Sequence, residues 1–152
     1  MPLYKNLKPG DPAPWFKQRS TFTEDFAIDT AAGRYLVLCF FASAGHPKGK
    51  AAVDAAIANS HRFNDSFAAF FGISIDPKDE TLSRVAQKLP GYRFIWDFDG
   101  LVSRMYGAIP HDAPLDTTVP LRRIWVLLDP TLRIIDVIPF KADGSDANEV
   151  MT

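Results

Sequence analysis

The longest uninterrupted apolar stretch of the chain is Tyr35-Leu-Val-Leu-Cys-Phe-Phe-Ala42. It has the length of a strand and no polar alternation, the pattern of a parallel strand covered on both faces, so it predicts the centre of a sheet. From Ser43 to Lys50 comes a turn with two glycines and a proline, after which Val53, Ala56, Ile57, Ser60 and Phe63 recur at helical spacing. The order is strand, loop, helix. Phe67 to Ile75 reads as a second buried strand ended by Asp76-Pro77, and Asp79 to Leu89 as an amphipathic helix stopped by Pro90-Gly91. Tyr92 to Trp96 predicts a short strand and Gly100 to Tyr106 a short helix. Arg123 to Leu128 predicts another strand, turning at Asp129-Pro130 into Leu132 to Phe140 as a hairpin. Upstream, Lys8-Pro-Gly-Asp-Pro-Ala-Pro-Trp-Phe16 holds too much proline for a helix or central strand. It predicts an extended surface arm pinned by Trp15 and Phe16. Parallel βα units followed by an antiparallel hairpin imply an α/β fold with a central mixed sheet flanked by helices.

Composition narrows the setting of this sheet. At 152 residues the chain has the length of one domain over 1–152, long enough for a single core, and 47% hydrophobic content with 12 Phe is globular. The formal charge of -1 supplies no basic excess, so a nucleic-acid partner is not expected. Met1-Pro-Leu-Tyr-Lys-Asn6 lacks an apolar signal core, and the longest apolar run is too short to span a bilayer. The expectation is a cytoplasmic protein without a membrane partner. A single cysteine, Cys39, excludes an internal disulfide, a CxxC pair and a multi-cysteine metal site. At the end, Asp146 with Glu149 three residues on has the form of a capping box, yet Thr152 is the last residue. Either this is a polar tail or a helix begins here in a longer protein of which the chain is a fragment.

Several local patterns, taken in order, resemble the peroxiredoxins of the alkyl hydroperoxide reductase and thiol-specific antioxidant family, a branch of the thioredoxin superfamily. Pro9-Gly10-Asp11-Pro12-Ala13-Pro14-Trp15-Phe16 is similar to the family's Gly-Asp-x-Ala-Pro-x-Phe opening. Leu36 to Phe41 resembles the strand before the peroxidatic loop, and Gly72-Ile-Ser-Ile-Asp76 the next strand. Trp96-Asp97-Phe-Asp-Gly100 with Tyr106-Gly107 resembles the Asp-x-x-Gly and Tyr-Gly elements, and Arg123-Ile-Trp-Val-Leu-Leu-Asp129-Pro130 the arginine-bearing strand. The resemblance implies a thioredoxin-like, peroxiredoxin-type fold and a redox ancestry, with a homodimer as a plausible assembly. The opening is also similar to that of domains preceding an iron and 2-oxoglutarate dioxygenase-like part in some bacterial proteins, which implies a neighbouring catalytic domain beyond Thr152.

In that family a cysteine in the first turn of the helix after the central strand attacks peroxide, its thiolate stabilised by backbone N–H groups, the helix dipole and an arginine. A threonine three residues earlier hydrogen-bonds the peroxide. Counting from Phe40-Phe41, the resemblance places the threonine position at His46, the cysteine position at Gly49 and the arginine at Arg123. Glycine has no nucleophile for the O–O bond. The expectation is therefore a domain inactive as a thiol peroxidase, serving interaction, regulation or ligand binding, with a vestigial pocket at His46, Gly49 and Arg123. The rival is an active peroxidase using Cys39 or a partner's thiol, although Cys39 lies inside the buried strand, where a thiol is neither accessible nor easily ionised.

Other chemistry is thinner. Ala44-Gly-His-Pro-Lys-Gly-Lys50 has the outline of a phosphate loop, but Ala51 follows where a Ser or Thr should hold magnesium. Lys48 and Lys50 in a helix's first turn oppose the dipole, a conflict that an anion held with Arg123 would relieve. Two solvated surface lysines are the alternative. His46, His61 and His111 match no ligand spacing, so no metal and no cofactor is expected. Asp97 and Asp99 could form an acid/base pair only if one were buried, and turn and cap roles are the favoured expectation.

Overall fold

The computed structural model describes residues 7–20, 26–58, 68–82, 92–98, 100–109 and 122–140. The apolar run forms the long strand β3 (Tyr35–Ala42), preceded by two short strands, β1 (Lys17–Ser20) and β2 (Phe26–Ala27), and a 3-10 turn over Ile28–Ala31. After it come α1 (Pro47–Ala58), β4 (Ala68–Ser74), α2 (Pro77–Thr81), β5 (Tyr92–Trp96), α3 (Leu101–Met105), β6 (Ile124–Leu128) and β7 (Ile134–Pro139). They build one seven-stranded sheet in the order β2-β1-β5-β4-β3-β6-β7. β3, β4 and β5 run parallel, while β6 is antiparallel to β3, β7 to β6 and β1 to β5.

The alternation hidden inside the apolar run sorts its side chains onto two faces. Leu36, Leu38 and Phe40 join Phe71, Ile73, Ile95, Ile124 and Val126 in one core, closed by Phe16 and Ala13 of the arm, Ile28 of the 3-10 turn and Val102 of α3. Cys39 and Phe41 join Phe70, Phe94, Trp96 and Trp125 in the other, closed by Ala52, Val53 and Ala56 of α1. Gly72 of β4 lies between the rings of Phe41 and Phe94. A Cβ there would come within 2.7 Å of Phe94 and 2.9 Å of Phe41, whose rings meet edge to face at 6.1 Å. Every residue of β4 is buried, as expected of an interior parallel strand.

The α/β class and the mixed sheet are as the hydrophobic pattern predicts. β1 and β2 are additions that the pattern did not reveal, since Lys17–Ser20 and Phe26–Ala27 are too short and too polar to read as strands. α2 starts at Pro77, ahead of the predicted Asp79, because Asp76 caps it by accepting the Lys78 N–H. The arm is extended and pinned, but Trp15 stays 63% exposed while Phe16 is buried, so only the second ring anchors it. The later part of the predicted helix to Leu89, the continuation to Ser60 and Phe63, and the capping box at Asp146 and Glu149 lie outside the described residues. So do His61, Asp99 and His111.

Candidate functional site

Most of the candidate residues lie at or against the junction between β3 and α1. β3 leaves the sheet through Ala42, whose φ of 68° is left-handed and uncommon for a residue with a Cβ. The Ser43 N–H donates to the Phe41 carbonyl at 2.8 Å, which closes a tight three-residue turn of the γ type around it. His46 then caps α1: its Nδ1 accepts the Lys48 N–H at 3.2 Å, and Pro47 occupies the first helical position, where a missing N–H costs nothing.

The loop between them is held from the side by the segment that follows β4. The Ile75 N–H donates to the Ala42 carbonyl at 2.9 Å, and Ser43 Oγ donates to Asp76 Oδ2 at 2.7 Å. The Ala44 N–H donates to both carboxylate oxygens of Asp79, at 3.1 and 3.0 Å, and Ser74 Oγ donates to Asp79 Oδ2 at 2.7 Å. Asp79 is fully buried, so these donors stand in for the water it has lost. Three consecutive loop residues are thus each tied to one neighbouring turn. Reading the sequence missed Asp79, Ser74 and Ser43. An acid in the first turn of α2 is a visible helix-start signal, but nothing local marks it as a partner of residue 44.

The register of β3 with β6 pairs Phe40 with Ile124 and so sets Arg123 opposite Phe41. Arg123 Nε donates to the Phe41 carbonyl at 3.1 Å. Partial burial lowers the guanidinium's pKa from its usual value, though arginine keeps its charge in proteins. Gly49, in the first turn of α1, is buried against the same carbonyl. A Cβ built on it would fall on the Ser43 carbonyl oxygen and lie 2.7 Å from that of Phe41. Gly49 and Arg123 therefore converge on one backbone oxygen, with His46 at the start of the same helix.

The remaining candidates are dispersed. Lys48 and Lys50 are exposed, and Lys50 Nζ pairs with Asp54 Oδ2 at 2.9 Å one turn along the helix. Cys39 has no exposed surface, lying on β3 between Gly72 of β4 and Trp125 of β6. Asp97 is buried and caps α3, accepting from the N–H groups of Val102 (2.9 Å) and Ser103 (2.7 Å) and from Gln18 Nε2 (3.0 Å). Burial raises its pKa from the ordinary value, and these hydrogen bonds oppose the rise. Tyr106, whose phenol burial also pushes up, donates to the Pro14 carbonyl at 2.7 Å and ties the arm to the end of α3. Among the described residues, no cluster of three His, Cys, Asp or Glu could hold a metal, and no helix is long and apolar enough to cross a membrane.

A model of the AhpC/TSA family matches residues 9–136. The chain belongs to the AhpC/TSA family. Among solved structures, this AhpC/TSA domain is similar to a yeast mitochondrial 1-Cys peroxiredoxin, at 19% identity over 96% of this chain and 74% of that one, with a TM-score of 0.79. It is similar to a cysteine-to-serine variant of Xylella fastidiosa PrxQ, at 17% identity over 97% and 94% of the two chains, with a TM-score of 0.73. Mycobacterium tuberculosis AhpC gives 19% identity over 97% and 90%, also with a TM-score of 0.73. At these identities the likeness is one of fold, the thioredoxin-like peroxiredoxin fold. No curated protein sequence matches the chain.

Proposed function

We propose that this AhpC/TSA domain is inactive as a thiol peroxidase and serves an interaction or regulatory role, including the support of a neighbouring domain. The observation that carries the reading is the position of the chain's one thiol: Cys39 has no exposed surface and is packed beneath α1 in the middle of the sheet. A peroxide must reach a thiolate in line with its O–O bond, and a thiol without exposed surface gives no such access. Gly49, at the position that the resemblance assigns to the nucleophile, offers no side chain in its place.

An anion held by Lys48, Lys50 and Arg123 is less well served, because Asp54 takes the Lys50 ammonium and the Phe41 carbonyl takes Arg123 Nε. The test is peroxide consumption by the purified protein with dithiothreitol or thioredoxin as reductant. The expected result is no turnover above the reductant's own background and slow reaction of Cys39 with a thiol reagent until the chain is denatured. Turnover that disappears in Cys39→Ala would establish the rival reading, an active peroxidase.

A further inference from the structure

We infer that the β3–α1 junction is a closed latch, in which backbone fills the space that a side chain at residue 49 would need, and that Arg123 serves as its clasp. The inference deepens the reading above, since it rests on placing Gly49 at the nucleophile position. A merely vacant site would accept a new side chain there; this one does not. The Ser43 carbonyl oxygen lies far inside contact distance of a Cβ on residue 49, and the Phe41 carbonyl oxygen stands 2.7 Å from the same point.

Both oxygens are held by hydrogen bonds, one of them from a distant strand. The Ser43 carbonyl accepts the His46 N–H at 3.3 Å, and the Phe41 carbonyl accepts the Ser43 N–H at 2.8 Å and Arg123 Nε at 3.1 Å. The left-handed Ala42 stores strain that only a well-determined surrounding maintains. The bonds from Ser43 to Asp76 and from Ala44 to Asp79 provide that determination. Arg123 thus spends its Nε on one of the two backbone oxygens that crowd residue 49. In this arrangement glycine is a steric requirement of the loop.

Three variants test the latch. Gly49→Ala should lower Tm by more than about 5 °C, because a backbone carbonyl cannot swing aside as a flexible side chain can. Gly49→Cys in a Cys39→Ala background should give an introduced thiol that is protected from labelling while the chain is folded, and no peroxide turnover. An unchanged Tm in Gly49→Ala, with a freely labelled thiol in the second variant, would overturn the latch. If the glycine variants do not fold, Arg123→Met supplies the decision by amide exchange. The latch requires the Ser43 and His46 amides to exchange at least about tenfold faster while those of Phe71 and Ile95 are unchanged; unaltered exchange at Ser43 and His46 overturns it. Peroxide turnover by the wild-type protein would overturn the inactive reading and leave these steric tests standing.

Discussion

Asp97 and Asp79 are both fully buried aspartates just beyond the ends of neighbouring parallel strands, yet they hold the molecule together in opposite ways. Asp97 works locally: the amides it accepts belong to the helix that its own strand leads into, five and six residues on, and only Gln18 comes from far along the chain. Asp79 works at long range, reaching from the first turn of α2 to Ala44, 35 residues earlier, in the loop that leaves a different strand. The first makes a helix start. The second fixes the shape of a loop whose own sequence does not demand that shape, since Ala42 would rather not be left-handed. A helix end can be stabilised by the residue beside it, whereas an irregular loop next to the helix needs partners supplied by the tertiary fold.

The comparison breaks if the two carboxylates prove interchangeable in size or reach. Asp97→Ala should have the largest effect, a loss of roughly 3–5 kcal/mol, because it leaves two buried helix N–H groups without their acceptor and removes the bond from Gln18. Urea unfolding measures it, and a loss below that of Asp79→Ala would reverse the ranking. The same residue gives a pH test. With its folded pKa raised above the ordinary 3.8, Asp97 binds its proton more tightly in the folded chain than in the unfolded one. Its contribution is therefore fully present below that ordinary value and is lost as pH rises through the raised folded value. Asp97→Asn should remove this falling component from a plot of Tm against pH.

Asp79→Ala comes next, at about 1–3 kcal/mol, chiefly for the buried Ala44 amide left without its acceptor, since the Ser74 hydroxyl can still donate to the Asp76 carbonyl. Its distinguishing mark is place: amide exchange should quicken at residues 43–46, in the loop from β3, as well as around α2. Exchange confined to α2 would mean that Asp79 is a local cap after all. The smallest effect belongs to Lys50→Ala on the exposed side of α1, within about 0.3 kcal/mol of zero. There the lost pair with Asp54 is offset by removing a positive charge from a helix N-terminus.

The same division runs through what could be read before any coordinates. The peroxiredoxin-type fold was implied by the resemblance to that family, whereas the strands from β3 onward and the α/β class were legible because they are written in contiguous apolar runs and turn residues, which act on their near neighbours. Asp97 was legible as a cap for that reason. β1 and β2 were not, since Lys17–Ser20 and Phe26–Ala27 become strands only by pairing with partners already in place.

At the β3–α1 junction the sequence by itself determined that one thiol exists, that it lies within a buried strand, and that residue 49 is glycine. Only the tertiary structure decided what that glycine is for. The Ser43 carbonyl against it, the arginine on Phe41 and the carboxylate under Ala44 come from three separate stretches of chain, brought together by β-sheet register. Sequence patterns record the preferences of a segment, and contacts between distant segments are fixed only when the sheet aligns them.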